Sequence, residues 1–195
     1  GLVGKLNSFI RPSFVSHSSA TGTVSAQEAA GGLVGYFIGD SDSYIETSYA
    51  TGNVSTTAAG HVGGLIGEAQ ASDAEFRNTY ALGNVNGDSA AGGLIGYTTL
   101  SLTLTNNYAS GVVTGNGTKG GLVGSENSQT IIYNRNYWNK EDNPTLNDRS
   151  EGDLGDTTKI SGETKTNLKT QGTFVDWDFT NIWNIAPTTN QGYPT

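Results

Sequence analysis

Residues 31–35 read Gly-Gly-Leu-Val-Gly, and the phrase returns as Gly63-Gly-Leu-Ile-Gly67, Gly92-Gly-Leu-Ile-Gly96 and Gly120-Gly-Leu-Val-Gly124, with a shorter copy at Gly1-Leu-Val-Gly4. The motif leucines Leu2, Leu33, Leu65, Leu94 and Leu122 stand 31, 32, 29 and 28 residues apart. A second phrase falls between them: Ala20-Thr-Gly-Thr-Val24, Ala50-Thr-Gly-Asn-Val54, Ala81-Leu-Gly-Asn-Val85 and Ala109-Ser-Gly-Val-Val113. Tyr49, Tyr80 and Tyr108 precede the last three alanines, and Ser19 holds that place in the first. An altered fifth copy, Asn136-Tyr-Trp-Asn139, carries Trp138 at the alanine position. A compound motif recurring at nearly constant spacing marks a repeat protein.

The pattern inside each repeat selects the architecture. Helical repeats need apolar residues at i, i+3, i+4 and i+7 over long stretches, whereas the apolar runs here are short and bounded by Gly, Asn, Ser or Thr. Four residues before each Tyr position stands a large apolar residue: Val15, Ile45, Phe76, Leu104 and Tyr133. An offset of four keeps both on one face of a strand. Each repeat therefore reads as three short strands, one on Leu-Val/Ile, one ending in Tyr-Ala and one on Asn-Val. Glycines mark corners and close backbone approaches. One such turn cannot bury its own apolar face, but stacking places like on like. We read the chain as all-β, a parallel, right-handed β-solenoid with three short strands per turn. The leucines, the Tyr-position residues and the motif valines form its interior ladders. A propeller blade needs ~40–50 residues and four strands and fits less well.

Composition narrows the function classes. Of 195 residues 28 are glycine, and 23 of those lie in residues 1–124, so the excess belongs to the repeats. With no cysteine and two histidines, disulfide scaffolds and thiolate metal sites are excluded and a zinc enzyme is disfavoured. Ten Lys and Arg against 18 Asp and Glu give a net charge of −8, without the basic footprint that nucleic-acid binding or attraction to anionic membranes requires. No apolar run is long enough to span a bilayer as a helix.

The Gly-Gly-Leu-Val/Ile-Gly phrase, followed by Tyr-Ala-x-Gly-Asn-Val, resembles the GLUG repeat. That repeat occurs in large secreted bacterial adhesins, filamentous-haemagglutinin-like proteins and non-catalytic parts of some IgA-specific metallopeptidases. The resemblance covers residues 1–139. The stretch Thr173-Phe-Val-Asp-Trp-Asp-Phe179, with Ile182-Trp183 and Gly192-Tyr-Pro194, is similar to the segment that closes such repeat blocks. The resemblance implies an extracellular or bacterial cell-surface location and a fragment of a longer precursor. It specifies no ligand, because a repeat is a scaffold that hosts many roles.

Sites on a solenoid come from one register position in neighbouring turns. Seven residues before the Tyr position stand Asp42 and Asp73, which alignment stacks as neighbours with Asp40 two residues away. Such carboxylates suit Ca²⁺ or the acid pair of a polysaccharide-cleaving β-helix enzyme. A solvated loop, where aspartates are common, explains them better, and no Lys or Arg stands beside them as a base. We assign no catalytic and no cofactor-binding residue, and Ca²⁺ at Asp40, Asp42 and Asp73 is the single metal candidate. Three residues before the Tyr position, Glu46 and Arg77 are expected to pair across adjacent turns. His17 and His61 have no catalytic partner in the sequence and read as surface residues. The glycine phrases lack the Gly-Lys-Ser/Thr and following helix of a phosphate loop.

Two features bear on assembly. Val3, Val34, Ile66, Ile95 and Val123 follow the motif leucines, so strand alternation sends them outward as a lateral self-association row. The flanking glycines instead kink the strand and bring both columns into the core, which is the reading we favour. The first motif starts at Gly1 with no preceding turn, so we expect upstream turns or end-to-end contact with another copy. The chain divides into residues 1–139, the repeats, and residues 140–195, a loop and capping segment. In that segment Phe174, Trp177, Phe179, Ile182, Trp183 and Ile185 are expected to plug the solenoid. The expected function is a non-enzymatic extracellular adhesive or fibre-forming segment, with itself, the rest of a longer chain, a surface glycan or a host protein as partner. The rival readings are a carbohydrate-active β-helix enzyme and a glycan-binding module.

Overall fold

A computed structural model describes residues 1–7 and 12–195, and it is an all-β parallel solenoid of about four turns. Like residues stack on like throughout. Val3, Val34, Ile66, Ile95 and Val123 form one continuous parallel rung column. Val15 pairs with Ile45, Ile45 with Phe76, Phe76 with Leu104 and Leu104 with Tyr133. Val24, Val54, Val85 and Val113 make a third column.

Each turn has three faces, though they are cut differently from the sequence reading. The Leu-Val/Ile and Tyr-Ala segments belong to one long sheet, and in the third turn they fuse into a single strand, Ile66–Ala81. The second face is the valine sheet of Val24–Ala26, Val54–Thr56, Val85–Asn86 and Val113–Thr114. The third is made of Ala29–Gly31, His61–Gly63, Ala90–Gly92 and Thr118–Gly120. Its short Ala- and Gly-rich strands carry too little alternation to stand out in the sequence.

The core shows why the glycine phrase is invariant. Leu33, Leu65, Leu94 and Leu122 are fully buried, and so are Val34, Ile66, Ile95 and Val123. Both columns enter the interior, so the lateral apolar row does not exist. Burial of each such side chain is worth ~1.5–3 kcal/mol. The chain reaches this density because it crosses itself at glycines. A side-chain carbon on Gly64 would overlap the Gly93 carbonyl and lie 2.7 Å from the Ala81 Cβ. One on Gly67 would lie 2.7 Å from the Ala30 amide nitrogen, on the opposite wall of the turn. Gly-Gly and the alanine of Tyr-Ala are thus two halves of one contact. In the fifth copy Trp138 fills the alanine place and lies against Gly121.

The tyrosine column corrects a second expectation. His17, Thr47, Asn78, Asn106 and Arg135 share one register position, and all have left-handed backbone, with φ of 46°, 44°, 53°, 56° and 54°. A left-handed residue breaks strand alternation. It turns the next residue inward and sends the tyrosine out, while the alanine after it points into the core. The inward residues, Ser48, Thr79, Asn107 and Asn136, form a buried polar ladder that satisfies the bend. Asn107 accepts from the Thr79 amide (3.0 Å) and hydroxyl (2.8 Å), and its Nδ2 donates to the Phe76 carbonyl (3.0 Å). Asn136 repeats the pattern one turn on, donating to the Leu104 carbonyl (2.9 Å).

Residues 140–195 close the molecule in two ways. Ile160–Glu163 pairs with Asn136–Asn139, and Val123 bridges to Arg149. Ile160 is buried in the core with Leu146 and Leu154 packed against it. Trp138 Nε1 donates to the buried Asp148 carboxylate at 2.8 Å. These residues plug the end of the solenoid. The aromatic residues expected to do so lie elsewhere, along its side, because the outward tyrosines give them a surface to cover.

Candidate functional site

The outward tyrosines stack face to face along the rod. Tyr49 and Tyr80 lie 4.7 Å apart with ring planes 3° from parallel, and Tyr80 and Tyr108 follow at 5.1 Å and 13°. The C-terminal segment folds back over them and builds a second core from Tyr80, Tyr108, Tyr137, Leu168, Phe174, Trp177, Trp183 and Tyr193. Polar tips are tied down as the rings are buried. Tyr108 donates to the Pro194 carbonyl at 2.7 Å, the Val175 amide donates to the Tyr137 hydroxyl at 3.1 Å, and Trp177 Nε1 donates to the Arg135 carbonyl at 3.1 Å. A short 3-10 helix, Asn167–Lys169, buries Leu168 in this second core. Burial pushes the Tyr80 and Tyr108 phenols up, with neighbouring tyrosines adding to the effect.

The cover stops at Tyr80. Tyr49, the next ring in the stack, is half-exposed, and the first turn offers Ser19 at that register. The step leaves an open groove of about 100 Å³ lined chiefly by Thr47, Tyr49, Asn78, Tyr80, Ile182 and Trp183. Its walls combine aromatic and aliphatic side chains with the polar Thr47, Ser48, Asn78 and Thr195, and none of these side chains is charged. Two buried polar atoms on these walls have no hydrogen-bond partner: the acceptor Asn78 Oδ1 and the donor Trp183 Nε1. Trp183 is only 4% exposed. An unmet buried polar group costs ~1–3 kcal/mol, and here a donor and an acceptor go unmet in the same groove. The sequence pattern singled out Tyr49 and Trp183 as repeat and cap residues. Asn78 was missed, although the polar residue two places before each tyrosine was a readable column.

The residues singled out for chemistry fare differently. Asp40 accepts from the Ser43 hydroxyl at 2.8 Å and serves a turn. Asp42 lies exposed in that turn, and Asp73 sits exposed at an irregularity with φ of 63°. The ladder joining these turns stops at Gly39–Ala71 and resumes at Tyr44–Glu75, so Asp42 and Asp73 are not a paired rung. Among the described residues, no three His, Cys, Asp or Glu side chains gather to hold a metal ion. The Glu46–Arg77 pair does form, at 2.6 Å, and Glu75 joins it.

His61 is more than a surface histidine. It belongs to the third sheet and stacks on Tyr97 at 4.4 Å, while its Nδ1 meets Glu68 Oε2 at 2.7 Å. Gln70 Nε2 donates to the other oxygen of Glu68 at 2.7 Å. Tyr36 also hydrogen-bonds Glu68, and burial with the Glu68 and Glu28 charges pushes its phenol up. This cluster holds a buried carboxylate on the rod's surface with both oxygens engaged. His17 lies exposed on the left-handed column.

The fold and these contacts define a parallel β-solenoid protein with an aromatic flank covered by its own C-terminal segment. Comparison with family models, curated proteins and solved structures found no match for the chain.

Proposed function

We propose that this chain is a non-enzymatic, extracellular, surface-attached solenoid that acts as a stiff adhesive or fibre segment. One observation carries the reading: the repeated Leu, Val/Ile, Ala and Gly side chains are consumed in axial stacking, so the repeats encode a rod. The resemblance to GLUG repeats of secreted adhesins supports the location. On this reading its partners are further turns of the same kind and a glycan or protein of the surface it contacts.

The test uses cells expressing the full-length protein. Antibody against residues 1–195 labels intact cells, and micrographs show the segment as a straight rod. Labelling only after lysis contradicts the reading. Polysaccharide cleavage that disappears in Asp42→Asn or Asp73→Asn contradicts it also, and establishes the rival hydrolase.

A further inference from the structure

The groove beside Tyr49 is the feature that the stacking account leaves over. Inside the rod the bend recruits a column of Ser, Thr and Asn for its backbone atoms. Among the described residues five buried side-chain atoms have no partner; Thr56 Oγ1, Thr98 Oγ1 and Arg149 Nε lie elsewhere, while Asn78 Oδ1 and Trp183 Nε1 belong to residues that line one groove. Buried polar atoms without partners are rare and mark missing water or missing ligand.

The chemistry of the walls defines the occupant. An unmet acceptor and an unmet donor are satisfied together by one hydroxyl, which donates to the first and accepts from the second. The remaining surface, Tyr49, Tyr80 and Ile182, offers rings and an aliphatic chain to an apolar face. A pyranose ring combines these features, a C–H face bordered by hydroxyl groups. The absence of charged side chains on the walls favours a neutral sugar over an acidic one.

We propose that this groove is a carbohydrate subsite, in which a neutral sugar ring packs against Tyr49 and Ile182 and one hydroxyl bridges Asn78 Oδ1 and Trp183 Nε1. The inference rests on the adhesive reading for its role and names the ligand class of that role. It also gives the C-terminal segment a task beyond coverage. Trp183 and Ile182 build one wall and the repeat builds the other, so the site exists only where the two meet.

The probes are cellohexaose, chitohexaose and mannohexaose, titrated into residues 1–195 and followed by tryptophan fluorescence and amide NMR. At least one is expected to saturate in the micromolar-to-millimolar range and to shift the Tyr49, Asn78 and Trp183 signals. Three variants spare the fold by design. Trp183→Phe keeps a ring and removes the N–H. Asn78→Gly suits the left-handed backbone and removes the acceptor. Tyr49→Ser copies Ser19 of the preceding turn. Each is expected to weaken binding about tenfold, which corresponds to ~1.4 kcal/mol, with the far-UV spectrum unchanged. No saturable change with any probe overturns the proposal, as does binding that all three variants retain. In the full-length protein, groove signals that ignore the sugar because chain beyond Thr195 occupies the site overturn it as well. Absent sugar binding on a chain that still labels intact cells overturns this inference alone. Sugar binding by a chain found only inside cells overturns the adhesive reading alone.

Discussion

At Gly64 a single methyl group separates the repeat from a misfit. The next turn's Gly93 carbonyl and the Ala81 methyl occupy the space that a side chain needs, and neither can withdraw without shifting a rung. Gly64→Ala is therefore expected to destabilise the fold by ~3 kcal/mol, the upper part of the overpacking range. Gly4→Ala, where nothing lies within 4 Å, should be close to neutral. Urea unfolding of the two variants side by side checks the contrast, and equal midpoints would contradict it. Asn107 is the polar counterpart. Its replacement by Ala strands the Thr79 amide and the Phe76 carbonyl in the core. Two unmet groups at ~1–3 kcal/mol each imply a loss of at least ~2 kcal/mol. A midpoint within error of the parent protein would show that the bend does not depend on this ladder.

At the scale of elements, the long strand and its left-handed column decide where everything else goes. Without Thr47, Asn78 and their equivalents, strict alternation would keep the tyrosines on the same face as Ile45 and Phe76. With them, the rings leave the core and the C-terminal segment has a flank to cover. That flank makes stability sensitive to alkali. Burial raises the phenols of Tyr80, Tyr108 and Tyr133 above the ordinary value of 10.0. A folded-state value above the unfolded one contributes stability that is complete below that ordinary value and is lost as the pH rises towards the folded value. The buried Tyr80, Tyr108 and Tyr133 should thus ionise together with unfolding. Phenolate absorbance and circular dichroism recorded on the same samples test this. All nine tyrosines titrating in one step on an intact fold would contradict it.

The column was also where the sequence stopped being legible. The five glycine phrases, the inward Ile45 and Phe76 and the rung pairing of Glu46 with Arg77 were readable, because each is a local identity repeated at a fixed spacing. The direction of the tyrosines was not, because one backbone dihedral decides it, and Thr47, Asn78, Asn106 and Arg135, though all polar, share nothing that marks a left-handed backbone. The third sheet hid for a different reason: Ala29–Gly31 and its equivalents are too short and too small to show a period. Among the candidate sites, the aspartates drew attention by charge but serve a turn. The groove is lined by Asn78 from the repeat and Trp183 from the C-terminal segment, more than 100 residues apart, which no spacing rule connects.

At the scale of the whole molecule, a rod emerges with an inner core, an outer aromatic one and a small valine and alanine cluster between its second and third sheets. The inner core runs along the axis and is sealed at one end by Trp138, Ile160, Leu146 and Leu154. The outer one clamps the C-terminal segment against the tyrosine stack. The axial core makes the segment stiff, and the step where the clamp ends makes the groove. Both depend on turns stacking in register, one repeat to the next. Because the chain has no cysteine, that register can be read directly by introducing pairs of them. Ser25 and Ser55 are partners on adjacent rungs, and Asn86 stands one rung further on. Adjacent rungs lie ~4.8 Å apart, inside the ~4.4–6.8 Å Cα window of a disulfide, whereas two rungs span ~9.6 Å and fall outside it. The account predicts that Ser25→Cys with Ser55→Cys oxidises to an intramolecular disulfide in the folded protein, and that Ser25→Cys with Asn86→Cys stays reduced. Equal bridging by both pairs, or bridging by the second alone, would contradict the stacked solenoid.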